Sequence, residues 1–405
     1  MRYVKIVDNI ANGITRDSTP DLGDGYQGTN NLEQADAILV RASSLHEMEF
    51  PASLRCIARS GAGFNNIPLD RCAKEGIVVF NAPGANSNAV KELVVGQIML
   101  NSRNTRGGEQ WVLDHAQDAD VAKGAEKAKK AFVGHEAIGR KVGVVGTGAV
   151  GSKVANALVA LGMEVHGYDP YISVQHAYEL SHRVIRDADL NEMCKGCDYL
   201  TLHVPSKEDT LQMIGAEQLN LLNPGAMLIN YARDTIVNEA DVAAALESGQ
   251  LGLYITDFAN PEVMKMKNVI VTPHMGACTR EAEENCAHMA IASMKDYLNH
   301  GIIRNSVNYS DCDMGPCTCT GRVAFLHANV PSMISQITNE LASRNVNIAR
   351  MMSVPANEHA YTLVDIDNEL DQETVDALRA IPNIYRVRIV VPADGLDGGL
   401  GTATN

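Results

Sequence analysis

Arg233, Glu262 and His274 are spaced along one stretch of this chain, and their side chains form a set able to manage one proton and one anion. An imidazole titrates near neutral pH, so His274 suits general acid/base work. A carboxylate in hydrogen-bond reach favours the protonated imidazole and fixes its tautomer, the role open to Glu262. The guanidinium of Arg233 can fork onto a substrate carboxylate and polarise a neighbouring carbonyl. Each residue alone reads as a surface ion-pair partner, and His288, on an amphipathic helical pattern, reads as an ordinary surface or packing residue. The three differ in that each follows a different short apolar run, where strands of one sheet would deliver them to its carboxyl edge.

Upstream lies a glycine triplet, Gly146, Gly148 and Gly151, preceded by an apolar run at 142–145 and followed by a helical pattern over 149–161. In that context Gly146 permits a tight turn, Gly148 a close approach of a pyrophosphate, and Gly151 the packing of helix on strand. The helix start supplies free N–H groups and partial positive charge to phosphates. Asp169, 21 residues beyond Gly148, ends the next run, where an acceptor for the adenosine ribose hydroxyls belongs. A carboxylate there repels a 2′-phosphate, so NAD is expected over NADP. The plainer reading is that Asp169 only opens a turn with Pro170.

These residues need two α/β units to position them. Short β-branched runs at 3–7, 37–40, 56–59 and 77–80 alternate with helical patterns and read as buried parallel strands. A second series, at 142–145, 164–168, 199–203, 227–230, 253–257 and 269–272, predicts a complete dinucleotide domain. The helical pattern over 281–298 is placed to return to the first unit. The expected division is a discontinuous substrate domain (1–92 and 281–301), a nucleotide domain (93–280), a linker (302–320), a small module (321–392) and a frayed tail (393–405). The module's strands and helices alternate as βαββαβ, the ferredoxin-like order. The fold class is therefore α/β, with two doubly wound parallel sheets and one small antiparallel module.

A length of 405 residues suffices for several cores, and a net charge of -15 argues against nucleic acid as a partner. Residues 1–10 lack a signal-peptide pattern and no run is long enough to span a bilayer, so a soluble, cytoplasmic protein without membrane partners is expected. Nine cysteines, an odd number, fit reduced thiols. Cys194 and Cys197 read as structural. Cys312, Cys317 and Cys319 crowd one aperiodic segment, where an incidental thiol-rich linker is preferred to a metal or redox site. No bound metal is expected.

The run Ser-Gly-Ala-Gly-Phe-Asn-Asn at 60–66, the turn at 146–151, Tyr231-Ala232-Arg233, Asp257 with Glu262 five residues on, and Thr-Pro-His-Met-Gly at 272–276 together resemble the D-isomer-specific 2-hydroxyacid dehydrogenases over nearly the whole chain. That resemblance implies that Arg233 holds the substrate carboxylate, that His274 is the acid/base with Glu262 as its partner, and that Asp257 meets the nicotinamide carboxamide. It further implies that Ala149, Val150, His203, Pro205 and Ala232 line the cofactor, and that the backbone of Ala62 and Gly63 meets the carboxylate. Arg41 matches the position expected for a substrate phosphate, with Lys129 and Lys130 as weaker candidates. In the last module His327, Asn329, Val330, Pro331 and Asn347 resemble an ACT domain, which implies L-serine as an effector held by His327, Asn329 and Asn347. For Asn329 and Asn347, turn and cap roles are the plainer alternative. Three departures stand out: Ser332 and Asp234 replace glycines, and Pro261 precedes Glu262 rather than following it.

The function so implied is NAD-dependent oxidation of 3-phospho-D-glycerate to 3-phosphohydroxypyruvate, the first step of L-serine biosynthesis, with 2-oxoglutarate reduction as a side activity and a homodimer or homotetramer as the assembly. Two alternatives stay open: a dehydrogenase for another D-2-hydroxy acid, and a non-catalytic NAD-responsive binding protein.

Overall fold

A computed structural model of the chain describes residues 1–7 and 21–390. It divides into two compact units, Met1–Asn86 with the chain from Arg280 onward, and Ser87–Thr279. The first unit opens with five strands, β1 (Arg2–Ile6), β2 (Tyr26–Thr29), β3 (Ala37–Val40), β4 (Cys56–Arg59) and β5 (Val78–Phe80). All pair in parallel, in the order β2-β1-β3-β4-β5. β3, Ala-Ile-Leu-Val, is buried along its whole length, as a parallel strand covered on both faces must be. Edge strand β2, Tyr-Gln-Gly-Thr, lacks the apolar run that marks the others, so the sequence reading passes over it. The returning helix, Arg280–His300, buries Ala287, Ala290, Ile291, Met294, Tyr297 and Leu298 in one core with Val4, Leu39, Ala58 and Phe80.

The second unit carries seven strands: β6 (Lys141–Val145), β7 (Glu164–Tyr168), β8 (Ile185–Arg186), β9 (Tyr199–Leu202), β10 (Ala226–Asn230), β11 (Leu251–Thr256) and β12 (Val269–Val271). Their order is β12-β11-β10-β9-β6-β7-β8, all parallel. The chain runs outward from β6 through β7 to β8, then returns to place β9 on the other side of β6. This reversal opens a crevice at the carboxyl ends of β6 and β9, where ligands of such sheets bind.

The small module consists of β13 (Gly321–Ala328), β14 (Ile348–Ala356), β15 (His359–Ile366) and β16 (Ile384–Val390), ordered β14-β15-β13-β16 and antiparallel, with helices Met333–Ser343 and Gln372–Arg379. Alternate residues face opposite sides of a strand. Val323, Phe325, Val364 and Val387 therefore pack under the two helices with Ile337, Leu341 and Leu378. Ala324, Leu326, Tyr361, Leu363 and Val390 face the other way, into the core shared with the first sheet.

The segment 302–320, expected as a linker, takes part in that core. Ile303, Tyr309, Cys312, Met314 and Cys317 are buried in it, and the Tyr309 hydroxyl donates to Ala73 O at 2.8 Å. Its burial comes from single residues without periodicity, which a pattern search does not register. Cys194 and Cys197 are buried in the core of the second unit, where burial pushes both thiols up to about 12. The expected module end at 391–392 and the tail lie outside the described residues. No helix among the described residues is long and apolar enough to cross a membrane.

Beneath the module sits a buried ion pair. Arg322 Nε and Nη2 donate to Asp365 Oδ1 and Oδ2 at 2.5 and 3.1 Å, both side chains being almost wholly excluded from solvent. Arg350 Nη2 adds a 2.7 Å contact to Oδ2. Arg322 Nη1 donates to His300 O and Gly315 O at 2.8 and 2.7 Å, so the pair also closes the carboxyl end of the returning helix.

Ser332 precedes the helix Met333–Ser343 with φ +70°, the left-handed region that a side chain enters at a cost. This is the position where glycine was expected by resemblance. Ser332→Gly should therefore stabilise the fold by roughly 1 kcal/mol. Thermal unfolding should show a raised Tm, and a lowered Tm would mean that the serine side chain contributes more than its backbone costs.

Candidate active site

At the turn after β6, Gly146 adopts φ +85° and its N–H donates to Tyr168 O at 2.8 Å. A Cβ on Gly151 would stand 1.8 Å from Gly146 O, so only glycine allows the helix Gly151–Ala160 to sit this close to the strand. Around Gly148 there is open space, which leaves its backbone accessible to a pyrophosphate. Asp169 accepts N–H groups from Thr147 at 2.9 Å and Tyr171 at 3.0 Å, holding its carboxylate at the end of β7 beside the turn. His203, just past β9, shares 3.0 Å between its Nε2 and Thr201 Oγ1, and burial lowers its pKa to about 3, so it stays neutral.

The loop after β12 hangs on Asp257, the residue following β11. His274 N–H donates to Asp257 O at 3.0 Å, and Gly276 N–H donates to Asp257 Oδ2 at 2.9 Å. His274 is exposed, with φ +44° and its ring edge-on to Phe258 at 5.2 Å. A left-handed histidine carries backbone strain of the kind concentrated at functional sites. Burial raises the Asp257 pKa, and the Gly276 N–H, His274 and Arg233 act against that rise. Arg233 and His274 are thus both in electrostatic reach of one buried carboxylate. Asp257 Oδ1, Tyr231 Oη and Thr272 Oγ1 are buried without a hydrogen-bond partner. Orphaned buried polar atoms are costly, and a ligand carboxamide with donors and an acceptor would satisfy such a set.

Asn230, wholly buried at the end of β10, anchors Arg233. Its Oδ1 accepts Ala232 N–H at 3.1 Å and its Nδ2 donates to Arg233 O at 2.8 Å. The sequence reading did not single it out, although a polar residue closing an apolar run is a usable signal. Asp234 begins a short 3-10 turn and lies outside the left-handed region, so its replacement of glycine carries no φ strain.

Glu262 does not meet His274 here. Its carboxylate takes Lys265 Nζ at 2.6 Å, and no hydrogen bond joins it to His274 among the described residues. The cause is local: Asn260 Oδ1 accepts the Glu262 and Val263 N–H groups, starting a 3-10 turn in which residues three apart eclipse. Both partners of the Lys265 pair are about two-thirds exposed, so the pair is worth little and does not bar Glu262 from moving.

In the first unit, Arg41 follows β3 and Arg59 ends β4, at the carboxyl edge of neighbouring parallel strands. Arg41 Nη2 donates to Glu283 Oε1 at 2.7 Å, and Arg59 Nε donates to Arg41 O at 3.1 Å. The Arg59 guanidinium lies under the loop of Ala62 and Gly63: a Cβ on Gly61 would meet its Nη1 at 2.4 Å and one on Gly63 at 3.5 Å. Asn81 Nδ2 holds the loop through Ala62 O at 2.6 Å. Arg59 was also missed in the sequence, though it closes its strand as Arg41 does the neighbouring one.

Residues 95–276 match the family described as D-isomer specific 2-hydroxyacid dehydrogenase, NAD binding domain. D-3-phosphoglycerate dehydrogenase of Escherichia coli K12 is 30% identical over 344 residues, covering 81% of this chain and 79% of that protein. The chain belongs to the D-isomer-specific 2-hydroxyacid dehydrogenases. Among solved structures, an NAD+-bound 3-phosphoglycerate dehydrogenase from Entamoeba histolytica aligns with TM-score 0.58 and 24% identity, over 76% of this chain and 98% of that one. The holo D-mandelate dehydrogenase of Rhodotorula graminis aligns with TM-score 0.62 and 21% identity, over 77% and 99%. At these identities the two structures establish the shared fold.

The protein is thus an NAD-dependent dehydrogenase, and the glycine turn, Asp169 and the orphaned Asp257 Oδ1 fit that cofactor. Other expected residues lie differently. Lys129 pairs with Glu126 at 2.5 Å beside Lys130 in a short 3-10 turn of the second unit. In the small module His327 is 2% exposed, with Nδ1 against Ala328 O and Nε2 against Thr362 Oγ1, both at 2.8 Å. Its ring lies buried within the sheet. Asn329 and Asn347 are exposed, but their amide nitrogens serve Asn357 O at 2.9 Å and Asp367 Oδ2 at 2.5 Å, closing turns of the module.

Proposed function

We propose that the dehydrogenase oxidises 3-phospho-D-glycerate to 3-phosphohydroxypyruvate, the step that opens L-serine synthesis, and that it also reduces 2-oxoglutarate. The observation carrying this reading is the pair of guanidinium groups, Arg41 and Arg59, closing adjacent strands beside the loop of Ala62 and Gly63. A hydroxy acid with a single carboxylate has one anionic group, for which Arg233 suffices. A second cationic site in the substrate unit matches a second anionic group. The E. coli relative bears the name of this activity.

In this reading Arg41 meets the phosphate, with Arg59 beneath it, and the Ala62 and Gly63 backbone together with Arg233 orients the carboxylate. The His274 imidazole takes the hydroxyl proton, and Glu262, released from Lys265, stabilises the imidazolium. Bound NAD supplies the hydride acceptor. Asp257 Oδ1 would hold the carboxamide of the nicotinamide.

Arg41→Ala is expected to raise KM for 3-phospho-D-glycerate about tenfold or more while leaving KM for NAD unchanged, since a charge-assisted hydrogen bond is worth about 1.5–3 kcal/mol. An unchanged KM for the phosphorylated substrate would remove Arg41 from the site.

A further inference from the structure

Four arginines gather at the amino-terminal edge of the first sheet, the end opposite Arg41 and Arg59. Arg2 opens β1, Arg55 immediately precedes β4, and Arg386 and Arg388 stand two residues apart on β16. The last two share the strand face opposite Leu326 and Ala324, both of which enter the core of the first unit.

One carboxylate pairs with this group among the described residues: Asp36 Oδ1, 3.3 Å from Arg55 Nη1. The other guanidinium groups rest on neutral partners. Arg2 Nη1 lies 3.5 Å from the Tyr26 hydroxyl, Arg386 Nη1 donates to Leu54 O, and Arg388 donates to Tyr297 O at 2.8 Å and to Leu298 O. Arg388 is 6% exposed, yet its Nε has no hydrogen-bond partner. The wholly buried Tyr297 hydroxyl also lacks one, with the Arg388 guanidinium 4.6 Å from its ring centroid. Burial, reinforced by repulsion from Arg388, lowers the pKa of both Arg2 and Arg55. Burial likewise lowers Arg386, with Arg55 and Arg388 adding to it. A cation is costly to bury unless it is paired, and among the described residues several share one counter-charge.

We propose that this cluster binds a small phosphate-class oxyanion, at a site separate from the substrate residues of the same unit. Guanidinium forks match the oxygens of such an ion, and Arg55, whose side chain is 37% exposed, gives the cluster a donor that faces solvent. A net charge of -15 disfavours a large polyanion, so the ligand is a small one. Because the cluster joins β16 to the edge of the first sheet, occupancy ties the small module to the substrate unit.

The test is thermal unfolding of the full chain titrated with inorganic phosphate, and in parallel with a phosphate monoester that is not a substrate, at ionic strength held constant with chloride. Wild type is expected to show a saturable rise in Tm. The rise should persist in Arg41→Ala, and in Arg55→Gln and Arg2→Gln its midpoint should move to at least about tenfold higher phosphate. Tighter binding of one probe over the other identifies the ligand's source. A Tm indifferent to phosphate, a rise unaltered in both glutamine variants, or a rise abolished by Arg41→Ala would overturn the proposal. Hydrogen exchange of the wild type serves where a variant fails to fold: phosphate should slow exchange at 54–56 and 384–390, and unchanged exchange there also overturns it.

Discussion

His274→Asn is expected to lower kcat by about 10²–10⁴-fold, the usual contribution of a positioned general acid/base, while the Kd for NAD stays unchanged. The substitution suits this position for a structural reason. His274 sits at φ +44°, and asparagine tolerates the left-handed region better than most residues, so the loop held by Asp257 should keep its course. The lost proton transfer is then separable from lost folding. Steady-state rates and calorimetric NAD binding on the same preparation check it. Full turnover in the variant would mean that another group moves the proton, and loss of NAD binding would mean that the side chain instead supports the cofactor site.

The second large effect concerns stability. Asp365→Asn should destabilise the first unit by about 3–5 kcal/mol, because it leaves Arg322 buried with its fork unpaired. Burial alone would raise the Asp365 pKa, but hydrogen bonds from Arg322 and Arg350 more than offset this, and the net shift is downward. A carboxyl whose folded-state pKa is depressed adds stability above its unfolded pKa, near 3.9. That stability is lost as pH falls through the folded value. Wild type should therefore lose stability in this acid window, and the variant should lose less there. Denaturant unfolding at several pH values reads both. Equal stability of the two proteins at neutral pH would show that the pair is offset by its own desolvation.

The sequence shows its architecture most clearly where burial is continuous. β3 begins and ends where its apolar run does, because a parallel strand covered on both faces admits few polar residues. β2 and β8 escape notice because an edge strand of four residues, or of two, needs no such run. The positions of Arg233, Asp257 and His274 are legible for the same reason, each standing where an apolar run stops. Contacts made by long exposed side chains are not: Glu262 turning to Lys265 depends on a 3-10 turn set by Asn260, and Arg59 lying beneath Gly61 depends on a side-chain path that no spacing encodes. The burial of His327 against Thr362 is likewise a product of strand pairing between β13 and β15.

The most direct measurement is NADH formation by the wild-type chain with 3-phospho-D-glycerate set against D-glycerate and other unphosphorylated D-2-hydroxy acids. The two cationic sites predict a kcat/KM for the phosphorylated substrate at least about tenfold above the rest, with NAD preferred to NADP. Equal or better use of an unphosphorylated monocarboxylic acid would contradict the assignment of Arg41 and Arg59 to a phosphate, and turnover of none of them would contradict the proposed reaction itself.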